Sequence, residues 1–292
     1  MPPTHIALAV LCTIIWGLNF VIIKWGLQDF PPLLFTALRF ALASLPFLPF
    51  VRPPRTHWRY VVGVGLFLGV GQFGFLFTGM SLGMPAGLSS TVLQTQVFFT
   101  VMLAVLFIGE RPQWQSLVGL VLAFCGVAVI AGHLGAVPLI PFLMVICGAI
   151  CWAASNVVTR RAASPDAFNL IVWASAAVPV PMLLLSWIFE GQAKMVGAVI
   201  GPSWTGLGSL AYIAFFSTNL AYGVWSLLLK KHPAAMVAPF TLMVPFWGIG
   251  SSALLLGERL DTVKLIGAGL IVLGLAANSF PARRHRAAPA TK

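Results

Sequence analysis

The chain has 292 residues, of which 59% are hydrophobic and only 8% charged, with a net charge of +11. A soluble domain carries about 25% charged residues, so composition excludes a soluble enzyme or binding module. The surplus of Lys and Arg sits in short loops between apolar runs rather than along one helix or face, which excludes a nucleic-acid surface and reads as a topology signal.

Ten apolar spans are predicted, each of roughly the length that crosses about 30 Å of hydrocarbon. In chain order they cover 6–27, 33–51, 60–80, 87–108, 116–133, 139–158, 167–189, 204–229, 234–256 and 263–281. The first, IALAVLCTIIWGLNFVIIKWGL, has no Lys or Arg ahead of it and no convincing cleavage site behind it, so it reads as a span and not as a cleaved leader. Turn and charge chemistry marks the breaks: DFPP, RPPRTHWR, GMPAG, GERPQWQ, GHLGAVP, TRRAASPDA, EGQAK, KKHP and GERLD. Cys12, Cys125, Cys147 and Cys151 all fall inside apolar runs, with no zinc or disulfide spacing, and read as packing residues. No Walker sequence, dinucleotide-binding glycine pattern or metal-ligand cluster is present, so neither a cofactor nor a metal is expected.

With the N-terminus inside, the cytoplasmic loops and tail hold 12 of the 17 Lys and Arg residues, the outer loops hold 3, and Lys24 and Arg39 fall within spans. That bias fixes both termini in the cytoplasm. Two shifts then expose an internal repeat. A shift of 148 places Pro85, Ala86 and Leu106 on Pro233, Ala234 and Leu254. It also places Gly109-Glu110-Arg111 on Gly257-Glu258-Arg259, and Gly119, Leu122 and Gly126 on Gly267, Leu270 and Gly274. A shift of 136 places Ile14, Trp16, Val21 and Lys24 on Ile150, Trp152, Val157 and Arg160, so an insertion is expected around 190–203. The organisation expected is a first five-helix repeat over 1–134, a second over 135–281 and a basic cytoplasmic tail over 282–292. Five is odd, so the second repeat enters the membrane inverted. That is the plan of secondary transporters that alternate access to a midplane site between the halves.

The segments WGLNFVIIKWGL, PPLLFTALRF, GMPAGLSSTVLQTQVFFTVMLAVLFIGER and LLGERL resemble the drug/metabolite transporter superfamily, EamA type, over roughly residues 5–280. Within it they look closest to the bacterial amino-acid exporters, among them the O-acetylserine/cysteine exporter and, more broadly, the aromatic amino-acid exporter. The resemblance implies a ten-helix, all-α basket around a central cavity in the bacterial inner membrane, exporting small metabolites to the periplasm. It leaves the substrate open, because the superfamily carries amino acids, sugars, nucleotide sugars and cationic drugs.

A polar side chain deep in a bilayer is costly and should face a cavity or a partner helix. Asn19, Gln72, Gln94, Gln96, Asn156, Asn219 and Tyr222 are the candidates for substrate binding, joined by the buried indoles of Trp16, Trp152 and Trp173. An amide both donates and accepts, which suits a zwitterion; the alternative for each is interhelical packing. Pro239 and Pro245 each remove a hydrogen bond from the ninth span, and the equivalent positions in the fourth, Thr91 and Val97, bracket Gln94 and Gln96. Those two spans are expected to form a symmetry-related pair at the cavity wall. Gly65 and Gly69 permit close approach of the third span, a candidate moving element.

All six acids and all five histidines fall in loops, tails or helix ends. Lys24 and Arg39 are expected towards the outer side, pairing with Asp29 or snorkelling. With no carboxylate or histidine near the midplane to relay protons, facilitated diffusion is expected rather than tight proton antiport. The partners expected are a small-molecule substrate and membrane lipid; oligomeric state is left open. An efflux carrier for cationic amphiphiles is the alternative, and would be expected to carry a cavity carboxylate. An intramembrane lipid-modifying enzyme is a remoter one, and would need reactive groups at one depth.

Overall fold

The computed structural model describes residues 1–109, 114–132, 138–232, 234–259 and 261–279. The described residues are helical, with no strand. Seven helices among them are long and apolar enough to cross a membrane. They are α1 (Pro3–Gly26), α3 (Trp58–Ser81), α4 (Ala86–Ile108), α6 (Leu139–Ala162), α7 (Ala167–Phe189), α9 (Trp204–Lys231) and α10 (Pro239–Leu256). Three shorter apolar helices join them: α2 (Pro32–Ser44), α5 (Trp114–Gly132) and α11 (Thr262–Ser279). A further short helix, α8 (Gln192–Ile200), lies where the sequence comparison placed its insertion. The tail over 282–292, Glu110 and Arg111 lie outside the described residues.

One boundary differs substantially from expectation. α2 stops at Ser44, not 51, and continues only as turns. Pro46 and Pro49 are the cause: neither has a backbone N–H to donate to the preceding turn. The resulting 13-residue helix is only about 20 Å long.

The internal repeat is written into the backbone. A π-helical segment spans Gly65–Phe73 in α3 and a second spans Tyr212–Leu220 in α9, 147 residues apart at both ends. A 3₁₀ segment interrupts α4 at Leu93–Thr95, and another, Ala238–Leu242, overlaps the start of α10. Gly109 and Gly257 end their helices with φ of 75° and 65°, a left-handed conformation that glycine adopts without the steric penalty of a Cβ.

Glycine also sets how the halves meet. Between hydrocarbon-embedded helices the attraction is van der Waals packing, so close approach matters more than apolar area. A Cβ built on Gly119 would lie 2.6 Å from the Gly274 carbonyl oxygen, and one on Gly126 2.5 Å from that of Gly267. These are the two repeat-related glycine pairs, each touching the other's partner, so α5 and α11 cross antiparallel. Elsewhere α1 packs on α10, and α6 packs on α3 and α4. An aromatic chain, Phe30–Phe35–Phe77–Phe73–Phe40, runs through the first half with centroids 5.3–5.8 Å apart.

The acids act at helix ends. Glu258 accepts from the Ala86 and Gly87 backbone N–H groups at 2.8 and 3.0 Å, capping α4 from the other half of the chain. Glu190 likewise takes the Leu33 and Leu34 N–H groups of α2 at 2.7 and 3.1 Å. Both helices begin after proline and have no side-chain cap of their own, so distant carboxylates satisfy their orphan donors.

Candidate functional site

A cavity of about 260 Å³ opens between the two halves. It has room for roughly eight water molecules at their liquid volume, or one small metabolite. Its walls come from α1, α2, α3 and α4 of the first half and from α6, α9 and α10 of the second. Among the described residues, the glycine-crossed pair α5 and α11 contributes none to the lining.

Trp16 and Trp152, repeat mates, both line this cavity. The Trp16 indole N–H donates to the Ser217 carbonyl at 3.2 Å, and its ring leans on Tyr222 and Trp225 at 5.3 and 5.2 Å between centroids. The Tyr212 hydroxyl returns the tie by donating to the Ile15 carbonyl at 3.0 Å. α1 is thereby fixed to the π segment of α9. Asn19, Gln72, Gln94, Gln96, Asn156 and Tyr222 complete the expected set that the fold brings together.

These amides differ in what they leave free. Asn156 Nδ2 donates to Gln96 Oε1 at 2.9 Å and to the Thr100 hydroxyl at 3.1 Å, a link between α6 and α4. Gln94 Nε2 donates to the Thr241 carbonyl at 3.3 Å, joining the 3₁₀ breaks of α4 and α10. The polar groups exposed by a broken helix thus find partners across the wall. By contrast, Asn19 Oδ1 and Gln72 Oε1 are buried with no partner among the described residues.

Two candidates lie elsewhere, correcting the expectation that they meet the others. Trp173 donates its indole N–H to the Val51 carbonyl at 3.0 Å and packs edge-on against Trp58, near the 51–57 turn. Asn219 is not among the residues that line the cavity, and its Nδ2 is buried with no partner among the described residues. The prolines take helix-start positions: Pro239 opens the 3₁₀ segment and Pro245 lies in the first turn of Met243–Leu256. At Pro239 a missing N–H costs little; Pro245 lies within α10, and the Thr241 carbonyl four residues before it accepts from Gln94 instead. Gly65 and Gly69 press on α7, a Cβ on Gly65 falling 2.4 Å from the Ala174 carbonyl oxygen and one on Gly69 falling 2.1 Å from Val178.

Sequence reasoning missed Arg39. Expected towards the outer side, it lines the cavity and is 1% exposed. Shortening α2 at Ser44 places it mid-helix. Its guanidinium lies 3.8 Å from the Phe73 ring centroid, and both Nε and Nη2 donate to the Thr218 hydroxyl at 3.1 Å. Thr218 in turn donates to the Ile213 carbonyl at 2.7 Å, a bond the wide π turn allows. Lys24 does not pair with Asp29 either. It donates to the Met80 and Met84 carbonyls at 3.1 and 3.3 Å, while Asp29 accepts from Ser203. Among the described residues, no Asp, Glu or His lines the cavity.

A profile described as the EamA-like transporter family matches residues 4–132 and again residues 139–280. A protein of Escherichia coli strain K12 named "Probable amino-acid metabolite efflux pump" is 39% identical over 287 residues, covering 96% of each chain. Its namesake from Salmonella typhimurium is 41% identical over 289 residues, again covering 96% of each. A solved crystal structure 18% identical in sequence superposes with a TM-score of 0.65 over 95% of this chain and 96% of that one, a likeness of fold.

Proposed function

Because the chain belongs to the EamA-like transporter family, we propose that it exports amino acids and related small metabolites from the bacterial cytoplasm across the inner membrane. The relatives named as amino-acid metabolite efflux pumps support this substrate class. The observation that carries the reading is the cavity itself: enclosed by both halves, lined by amides and indoles, and bounded by helix breaks that recur in the two repeats.

In this reading ten helices cross the membrane, both termini are cytoplasmic, and the second half is inverted on the first. The antiparallel crossing of α5 and α11 through exchanged glycine pairs supports the inversion, as does the bias of Lys and Arg between loops. Inversion lets one fold adopt two states related by a pseudo-two-fold axis in the membrane plane, opening the cavity first to one side and then to the other. The breaks in α4 and α10, joined through Gln94 and the Thr241 carbonyl, are where those helices bend. Transport runs down the substrate gradient, without tight proton coupling, since none of the described residues lining the cavity is an acid or histidine that could relay a proton.

The test is counterflow in proteoliposomes with a panel of radiolabelled amino acids, with and without a pH gradient. Uptake of neutral amino acids in the absence of the gradient is the expected result. Uptake of lipophilic cations alone would overturn the substrate class, and accumulation driven by the pH gradient would overturn the mechanism.

A further inference from the structure

Arg39 is a guanidinium held inside the protein with one nitrogen unused. It is 1% exposed, and Nη1 has no hydrogen-bond partner among the described residues. A guanidinium stays protonated in proteins, so the charge is real. Among the described residues, no acid compensates it from the lining. The described acids are engaged elsewhere: Asp29 with Ser203, Asp166 with Lys230, Glu190 and Glu258 at helix starts, Asp261 with Lys264. An isolated buried charge costs several kcal/mol unless an opposite charge joins it. The surroundings orient the group without neutralising it: Thr218 holds Nε and Nη2, and Phe73 covers the guanidinium plane.

Opposite chemistry lines the same cavity. Asn19 Oδ1 and Gln72 Oε1 are acceptors with no donor, on side chains 6% and 2% exposed. One unused cationic donor and two unused amide oxygens around 260 Å³ form an electrostatic template.

We propose that Arg39 binds the substrate's carboxylate while Asn19 and Gln72 receive its ammonium group, so that the cavity selects zwitterionic α-amino acids over their esters and over amines lacking the carboxylate. The proposal rests on the amino-acid exporter reading and assigns its binding groups. It also predicts that cationic amphiphiles are excluded: their charge would be brought beside a fixed guanidinium in a low-dielectric site.

Calorimetry on the purified protein tests this, with the proteinogenic amino acids and O-acetyl-L-serine, each beside its methyl ester and its decarboxylated amine. Loss of a charge-assisted hydrogen bond predicts that ester and amine bind about tenfold or more weakly than the acid that binds best. Arg39→Gln is expected to erase that difference. Arg39→Lys keeps the charge but loses the planar fork and is expected to fall between. An ester that binds as tightly as its acid to the unaltered protein overturns the role of Arg39 without touching the exporter reading, and this comparison needs no variant to fold. So does an Arg39→Gln protein that keeps the preference for the acid. If no free acid, ester or amine of the panel binds, the exporter reading falls and the proposal falls with it.

Discussion

The carboxylate of Glu258 offers the sharpest test of how the two halves are joined. It accepts from two buried N–H groups, Ala86 and Gly87, at 2.8 and 3.0 Å, and α4 has no cap of its own. Glu258→Ala strands both donors. A hydrogen bond to a charged group contributes about 1.5–3 kcal/mol, and loss of an N-cap costs about 0.5–2 kcal/mol. The lost attraction of the carboxylate for Lys24 adds to this. Since the two bonds share one carboxylate and one helix start, their losses overlap, and about 2–4 kcal/mol is expected for the alanine. Glu258→Gln keeps one acceptor oxygen and sets an amide donor against the other N–H, so about half that loss is expected. Unfolding in mixed detergent micelles, followed by circular dichroism, measures both. If Glu258→Ala lies within about 0.5 kcal/mol of the unaltered protein, the cap does not hold the halves together.

Other expectations follow from the same contacts. Gly126→Ala pushes a Cβ to 2.5 Å from a backbone oxygen that cannot yield, so a loss of about 1–3 kcal/mol is expected. Gly269→Ala in the opposing helix meets nothing within 4 Å and is expected to stabilise by about 0.5–1 kcal/mol in the same unfolding assay. A double-mutant cycle between Asn156→Leu and Gln96→Leu should return a coupling of about 0.6 kcal/mol and not above about 2, the range for polar pairs between membrane helices. His232 Nε2 lies 2.6 Å from His5 Nδ1, tying the chain's start to the end of α9. Desolvation, then His5, the N-terminal amine and Lys231, hold the His232 pKa below its ordinary value. The folded protein therefore binds that proton less readily than the unfolded chain. The contribution is present above about pH 6.5 and is lost as pH falls through the folded pKa. The thermal midpoint should accordingly fall between about pH 8 and about pH 5.5, and less so in His232→Gln.

Much of the architecture was legible because hydropathy in a membrane protein is a strong signal. Spans such as 167–189 and 204–229 correspond closely to Ala167–Phe189 and Trp204–Lys231. The repeat was legible too, since glycines that must face another backbone tolerate no substitute, and Gly119, Gly126, Gly267 and Gly274 are such positions. What could not be read is geometry that several sequences adopt equally. The π segments GLFLGVGQF and YIAFFSTNL share little beyond an amide at their eighth position. A repeat position also does not fix direction: Gln72 and Asn219 stand 147 residues apart, yet only Gln72 faces the cavity. Arg39 was misplaced through an end effect. A span drawn to 51 put it near one edge, whereas Pro46 and Pro49 end the helix at Ser44 and leave the arginine at its middle. The prolines were the available signal.

Alternating exposure of the cavity is the central claim, and the accessibility of one lining residue tests it most directly. Thr241 lines the cavity at the break in α10, and its carbonyl, not its side chain, receives Gln94. Thr241→Cys in a background lacking Cys12, Cys125, Cys147 and Cys151 would be treated with a membrane-impermeant thiol reagent from each side in turn. The account predicts labelling from both sides and protection by a transported amino acid. Labelling from one side only, unaltered by any amino acid, would contradict it.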